Sequence, residues 1–258
     1  MTNSTQQTKL VDTLYDAYDR KQPIPKDRIQ EDIEKTDAYE IQQQLTDKKA
    51  ILNQDKLIGY KISLTSEETQ QLFHSTTPLY GALTKTSLSN GTIELASMQE
   101  PLLEIELMFI ANEDLSKDDD QDTILQKMSI APGLEIPDSR FIDWFPKLSL
   151  GQVIADSAVA GKVVVGEATQ GITYEQLGNI KAVLQLDGEP IVEGPSSEVL
   201  GNPVHAIKWL IDELAKSGRH IEKGMIISSG TFILPKTLQK GKYDANFESI
   251  GEVSLQVV

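Results

Sequence analysis

The segment that most constrains the fold is residues 101–110 (PLLEIELMFI), an apolar run of strand length that carries two glutamates. Successive side chains of a β-strand point to opposite faces, so Glu104 and Glu106 share one face with Met108 and Ile110. The apolar continuation of that face predicts that it is buried. Burying two neighbouring carboxylates is costly unless a cation or protons compensate them. The segment therefore predicts either a cation site in a buried sheet or an amphipathic strand with one solvent face.

A third carboxylate makes the cation site the more specific hypothesis. Glu135 stands between Leu134 and Ile136 in a second apolar stretch. Three carboxylates form an all-oxygen site that suits Mg²⁺ or Mn²⁺. Zinc fits poorly, because the chain has no cysteine and only three scattered histidines. Asp138 is a weaker fourth candidate, and it is equally well explained as a turn residue after Pro137.

Lys61 lies on the polar side of an alternating stretch that begins near residue 58, and this pattern alone predicts a surface lysine. Small neighbours such as Gly59 and Ser63 leave room for a ligand beside it. Next to a metal ion, its ammonium could hold an anion or move a proton.

Composition excludes several classes of partner. The chain has 24 basic and 39 acidic residues, a net charge of -15, and no basic cluster longer than a pair, so we expect no nucleic acid partner. No apolar run approaches the roughly 18 residues of a membrane span. Residues 1–20 are polar and acidic, unlike a signal peptide, so we expect a cytoplasmic protein that binds no membrane. Neither a P-loop nor a Rossmann glycine motif is present.

The patterns along the chain predict an α+β fold. Helical spacing covers residues 8–52, with a break at Pro23 and Pro25, and strand patterns dominate from residue 58 onward. The later expectations are a hairpin over 81–95 turning at 89–91, a strand at 162–165, a hairpin over 183–192 turning at 187–188, and an amphipathic helix over 203–216. We expect an N-terminal helical region at 1–56 and a β-rich catalytic domain at 57–258.

Seven groups of motifs, in order along the chain, resemble one family. They are DAYEIQ (37–42), GYKISLT (59–65), PLYG (78–81), LEIE (103–106), EIPDSR (135–140) with DW (143–144), GNP (201–203) with WL (209–210), and GMIISSG (224–230). The chain resembles the 2-keto-4-pentenoate hydratase family, which includes 2-oxohept-4-ene-1,7-dioate hydratases and 4-oxalocrotonate decarboxylases within the fumarylacetoacetate hydrolase superfamily. The resemblance implies a mixed β-roll or barrel domain with a small N-terminal helical region, and a homo-oligomer.

The resemblance also implies roles for particular residues. Glu104, Glu106 and Glu135 would bind Mg²⁺ or Mn²⁺. Lys61 and Asp156 would be catalytic. Ser229 and Thr231 would contact the substrate. The chain departs from the family pattern at Leu79, where many hydratases carry aspartate, and at Ser157, where many members carry asparagine.

The implied reaction is the metal-dependent addition of water to a 2-hydroxy-2,4-dienoate, such as 2-hydroxypenta-2,4-dienoate, to give a 4-hydroxy-2-oxo acid in the breakdown of aromatic compounds. One alternative is a 4-oxalocrotonate-type decarboxylase that uses the same metal site. Another is an inactive homologue that keeps the fold. A hydrolase that cleaves a carbon–carbon bond is less favoured, because it would need a positioned base such as a His–Glu pair.

Overall fold

The computed structural model describes residues 4–258, so the first three residues of the predicted helical region lie outside the described part. The α-helices are α1 (Ser4–Arg20), α2 (Lys35–Asn53), α3 (Glu67–Leu72), α4 (Gln121–Lys127), α5 (Leu150–Ala155), α6 (Tyr174–Leu177) and α7 (Pro203–Ala215). The strands are β1 (Leu57–Ser63), β2 (Leu79–Thr84), β3 (Thr92–Ile93), β4 (Leu102–Ala111), β5 (Met128–Ile136), β6 (Lys162–Val165), β7 (Lys181–Leu186), β8 (Glu189–Pro195), β9 (Ile226–Thr231), β10 (Lys236–Thr237), β11 (Gly241–Phe247) and β12 (Gly251–Val257).

Two sheets organise these strands. The larger has the order β2-β1-β9-β4-β5-β6, with β10 added beside β4, and the smaller has the order β3-β12-β11-β7-β8. The α+β prediction is therefore confirmed, as are the N-terminal helices, the strand β6, the β7–β8 hairpin and helix α7. No helix in residues 4–258 is both long and apolar enough to cross a membrane.

The predicted hairpin over 81–95 is wrong. Strand β2 pairs with β1, whereas β3 pairs in parallel with β12 in the other sheet. The turn at residues 89–91 exists, but it carries the chain from one sheet to the other. A local turn signal fixes where the chain bends and leaves open which strand it meets next.

The main apolar core lies between the sheets and α7. Leu103, Ile105 and Leu107 of β4 are fully buried in it, which places the glutamates of β4 on the opposite face. Helix α7 begins with Asn202, whose side chain accepts a hydrogen bond from the Val204 N–H. The division at residue 56 stays a prediction.

A second core joins the N-terminal helices to the sheet that carries the glutamates. Leu14, Ile41 and Leu45 of α1 and α2 share it with Trp144 and Ile154. This packing builds the wall of the candidate site described next.

Candidate metal centre and active site

The three predicted metal ligands meet at the centre of the larger sheet. Strands β4 and β5 are antiparallel neighbours in a register that places Glu104 directly opposite Glu135. One carboxylate oxygen from each of Glu104, Glu106 and Glu135 lies within 4.8 Å of the other two, and all three side chains are buried. The face of β4 that carries the glutamates is thus buried, and the alternative of a solvent-facing strand is wrong.

Strand β9 holds Glu106 in place. The pairing of β9 with β4 shifts register between Glu106 and Met108. As a result, the Ser228 hydroxyl (2.5 Å) and the Gly230 N–H (2.8 Å) both donate to Glu106 Oε2. Gly230 has a φ of +113°, and a Cβ there would come within 2.3 Å of Thr65, so only glycine fits.

The carboxylate of Glu135 has the Lys61 ammonium as its one partner among the described residues. Its Oε2 atom is buried without a partner, and its Oε1 atom meets Lys61 Nζ at 2.7 Å as an ion pair. Burial and the repulsion from Glu135 raise the pKa of Glu104 to about 8 and raise that of Glu106 as well. Three clustered carboxylates with bare oxygens fit a hard divalent cation.

Lys61 is the counter-charge that the protein itself supplies. Its side chain is 2% exposed, so the surface position predicted from alternation is wrong. Its ammonium donates to the Ser63 hydroxyl at 2.7 Å. Burial by itself would lower the pKa of Lys61, but the attraction of the three carboxylates outweighs burial and raises it. One ammonium cannot neutralise three ionised carboxylates, so without a further cation Glu104, whose pKa is about 8, keeps its proton at neutral pH.

A narrow cavity of about 50 Å³ reaches this cluster. Its polar lining residues are Lys61, Glu104, Glu106, Ser63, Thr65, Thr69 and Thr231. The rest of its lining is largely apolar and includes Phe73, Trp144, Phe145, Val153 and Val159. Among the described residues, Lys61 is the one positively charged side chain that lines it.

The two predicted substrate contacts differ in placement. Thr231 lines the cavity, and its hydroxyl is hydrogen-bonded to the backbone of Ile233. Ser229 is fully buried and does not line the cavity, but its hydroxyl has no hydrogen-bond partner. Ser63 and Ser228, which hold Lys61 and Glu106, were not predicted, because a serine in a strand carries no distinctive signal.

Asp156 lies outside this cavity. Its carboxylate is fully buried and accepts hydrogen bonds from the Arg140 guanidinium and the Ser139 hydroxyl. Asp138, the weaker ligand candidate, is also outside the cluster, since its carboxylate accepts from the backbone N–H groups of Gln99 and Glu100.

Asp156 begins an unusual left-handed turn. Ser157, Ala158 and Val159 have φ values of 54°, 50° and 53°, a conformation that costs roughly 1–3 kcal/mol for each non-glycine residue. Arg140 brackets the turn by donating to the carbonyls of Asp156 and Ala160. Ala158 and Val159 then line the cavity beside Lys61.

The PLYG motif explains how β2 approaches this turn. Gly81 lies against the Ser157 carbonyl so closely that a Cβ would come within 1.9 Å of its oxygen. Leu79, at the first position that departs from the family pattern, is buried in the second core.

Known proteins resemble this chain in both fold and sequence. No protein-family model matches this sequence. The fold matches the structure of 4-oxalocrotonate decarboxylase from Pseudomonas putida G7, complexed with magnesium and adipate, with a TM-score of 0.88, 22% identity and coverage of 100% of this chain and 99% of that one. It also matches that of a putative fumarylacetoacetate hydrolase family protein from Yersinia pestis CO92, with a TM-score of 0.59, 15% identity and coverage of 77% and 92%.

Curated sequences narrow the assignment to a family. A 2-keto-4-pentenoate hydratase from Paraburkholderia xenovorans (strain LB400) is 30% identical over 257 residues, which cover 96% of this chain and 93% of the relative. A 4-oxalocrotonate decarboxylase from Pseudomonas putida is 26% identical over 227 residues, covering 86% and 85%. The chain belongs to the 2-keto-4-pentenoate hydratase family.

Proposed function

We propose that this protein is a divalent-metal-dependent hydratase that converts a 2-hydroxy-2,4-dienoate with an apolar distal end into a 4-hydroxy-2-oxo acid. The observation that carries the proposal is the buried cluster of Glu104, Glu106 and Glu135: Glu104 and Glu106 line, with Lys61, a cavity whose lining is otherwise largely apolar. The named hydratase relative supports the same activity.

The three glutamates would hold Mg²⁺ or Mn²⁺. When bound, such an ion supplies Lewis acidity toward the carboxylate and the 2-oxygen of the substrate. The unpartnered Oε2 atom of Glu135 and the raised pKa of Glu104 are consistent with a site that needs such a cation.

Lys61 is positioned to pair with a negative charge on the substrate and to transfer a proton. Its buried ammonium lines the cavity and would pair with the substrate carboxylate or deliver a proton to C5 while the 2-hydroxyl loses its own proton, which converts the dienol to a conjugated 2-oxo acid. Water then adds across that double bond, its oxygen to C4 and a proton to C3. Thr231, which lines the cavity, is proposed to orient the substrate, and Ser229, whose buried hydroxyl has no hydrogen-bond partner, is proposed to assist from the same strand.

We assign Asp156 a positioning role, since Arg140 and Ser139 engage its carboxylate away from the cavity. It fixes the left-handed turn whose Ala158 and Val159 line the cavity. In Asp156→Asn, KM should rise more than kcat falls. The substitution shifts the cavity wall formed by Ala158 and Val159, whereas Lys61, the proton-transfer group, is unchanged.

The apolar wall favours the hydratase over the decarboxylase. A diacid would need a partner for its second carboxylate, and among the described residues the one cation that lines the cavity is Lys61, which already pairs with Glu135. Incubation with a diacid substrate and product analysis separates the two reactions, because decarboxylation releases CO₂ and hydration does not.

The first test uses chelator-stripped protein and 2-hydroxypenta-2,4-dienoate, with and without Mg²⁺ or Mn²⁺. We expect metal-dependent loss of the dienol ultraviolet band and formation of 4-hydroxy-2-oxopentanoate. Glu104→Gln should abolish turnover, and Glu113→Gln on an exposed loop should not. Full activity of Glu104→Gln in chelator-treated buffer would overturn the metal assignment, and metal binding without dienol loss would overturn the hydratase. Size-exclusion chromatography tests the homo-oligomer that we propose in addition.

A further inference from the structure

A second, larger cavity lies away from the carboxylate cluster. Its volume is about 340 Å³, and it is bounded by α1, α2, β2 and residues 160–162. It shares no lining residue with the cavity beside Lys61. The proposed hydratase reaction does not use it.

Positive charge is in excess around this cavity, although the chain as a whole carries -15. Its lining includes four cationic side chains, Lys21, Lys49, Arg140 and Lys162, against two carboxylates, Asp19 and Asp138. Asp138 is already satisfied by backbone N–H groups, and Asp19, which is exposed, accepts a hydrogen bond from Asn53.

Lys49 is the unusual member of the lining. Its residue is 6% exposed, and its ammonium makes no hydrogen bond or ion pair with any residue in 4–258. The group lies 3.9 Å above the ring of Tyr18, which is its one close polar contact. Because Lys49 lines the cavity and no described residue offers its ammonium an acceptor, an anion bound there can supply one.

The nearest carboxylates do not fill this role. Asp55 accepts hydrogen bonds from Thr84, Thr86 and Tyr18. Asp156 is paired with Arg140. Both lie close enough to attract Lys49 electrostatically, but neither touches it.

A second unpaired polar group borders the same cavity. The Oε1 atom of Gln99 is buried without a hydrogen-bond partner. A side-chain amide can present either its oxygen or its NH₂ group after a half turn, so Gln99 can donate to an anion. Lys162 uses one of its three N–H groups on the Thr86 carbonyl, which leaves two for a ligand.

We propose that this cavity is a binding site for a small oxyanion, a carboxylate or a phosphate, held by Lys49 with Lys162 and Gln99 as further partners. The anion supplies the acceptor that Lys49 lacks. Its negative charge is compensated by the cationic lining, and the cavity is roomy enough for a small organic acid or a phosphate monoester.

The test is calorimetric titration of the full chain at about pH 6, where Lys49 is mostly charged because burial and Arg140 lower its pKa only to about 7. Chelator-treated, chloride-matched buffer removes competing metal. Sodium phosphate and sodium succinate are titrated separately, so their relative affinities identify the preferred oxyanion. We expect saturable binding of at least one, with a Kd of about 1 mM or tighter.

Two lysine variants locate the binding site. Lys49→Met should weaken binding at least about tenfold, because it removes a charge-assisted hydrogen bond. Lys61→Met, which alters the other cavity, should leave the affinity unchanged. If Lys49→Met does not fold, Gln99→Leu provides the second test, with a few-fold loss expected. Three results would each overturn the proposal. Neither anion binds saturably, wild type and Lys49→Met (or Gln99→Leu, if it replaces Lys49→Met) bind with equal affinity, or Lys61→Met loses binding.

Discussion

The two cavities are unbalanced in charge in opposite directions: carboxylates outnumber cations around one, and cationic side chains outnumber carboxylates in the lining of the other. Beside Lys61, three buried carboxylates face one ammonium. The lining of the cavity beside Lys49 carries four cationic side chains and two carboxylates; Arg140 is paired with Asp156, and no described residue accepts a hydrogen bond from the Lys49 ammonium. In each case a charged group is buried without the partner that would compensate it. The direction of the imbalance indicates the sign of the expected ligand, a cation in the first cavity and an anion in the second.

Substitution of Lys61 should have the largest effect on the acidic cavity. Lys61→Met removes the one cation there, and we expect kcat to fall about 10²–10⁴-fold through loss of proton transfer and charge compensation. Dienol consumption at saturating metal measures this. Lys85→Met, on the surface, is the matched control. A Lys61→Met enzyme with kcat within a few-fold of wild type would contradict the assigned role.

Substitution of Lys49 should reveal the cost of burying a cation in the other cavity. Its pKa is about 7 in the folded chain and about 10.4 when unfolded. Below pH 7 both states bind the proton and the full penalty applies. Between pH 7 and 10 the unfolded state binds more protons, so wild-type stability rises with pH.

Lys49→Met should therefore stabilise the fold at pH 6 by on the order of 4 kcal/mol more than at pH 10. Urea unfolding of wild type and variant across this range gives the difference. Lys85→Met should show no such trend. If the difference in unfolding free energy between wild type and Lys49→Met does not change with pH, the pKa of Lys49 is not lowered by burial.

Addition of a divalent metal ion should compensate the negative charge of the three glutamates. At one hundred times its Kd, Mn²⁺ should increase the free energy of unfolding of chelator-stripped protein by about 2.7 kcal/mol. Glu135→Gln should lose most of this gain, because it removes a carboxylate charge and replaces the carboxylate whose Oε2 atom is buried without a partner. Glu113→Gln should retain it. An equal metal response in wild type and Glu135→Gln would exclude Glu135 as a ligand.

Relief of strain in the turn between the cavities should have the smallest effect. Ser157→Gly should stabilise the protein by about 1 kcal/mol, because glycine adopts a positive φ without steric cost. Ser197→Gly, in a turn without positive φ, should destabilise it by about 0.5–1 kcal/mol. Thermal unfolding of wild type and both variants measures these changes in stability. Destabilisation by Ser157→Gly would show that its side chain contributes more than the strain costs.

Alternation in β4 was enough to predict that Glu104 and Glu106 share a face, and the apolar residues beyond them correctly indicated burial. The pairing of Glu104 with Glu135 was not predictable from periodicity, because register depends on contacts between distant segments. Lys61 shows the same limit, since alternation does not distinguish a face toward solvent from a face toward buried carboxylates.

Lys49 carried no sequence signal at all. It lies in a helix with many polar residues, and only the packing of α1 and β2 around it makes it buried. Likewise, the motif residues Arg140 and Asp156 could be quoted from the sequence, but their ion pair and the left-handed turn it brackets depend on tertiary structure.

That turn has a consequence for how the protein can evolve. Ala158 and Val159 line the acidic cavity, and the next residues along the chain, Ala160 to Lys162, line the basic one. A substitution that reshapes one wall displaces the peptide that forms the other. Variants selected for a longer substrate will therefore tend to carry compensating changes around Lys49, and the two cavities should diverge together among homologues.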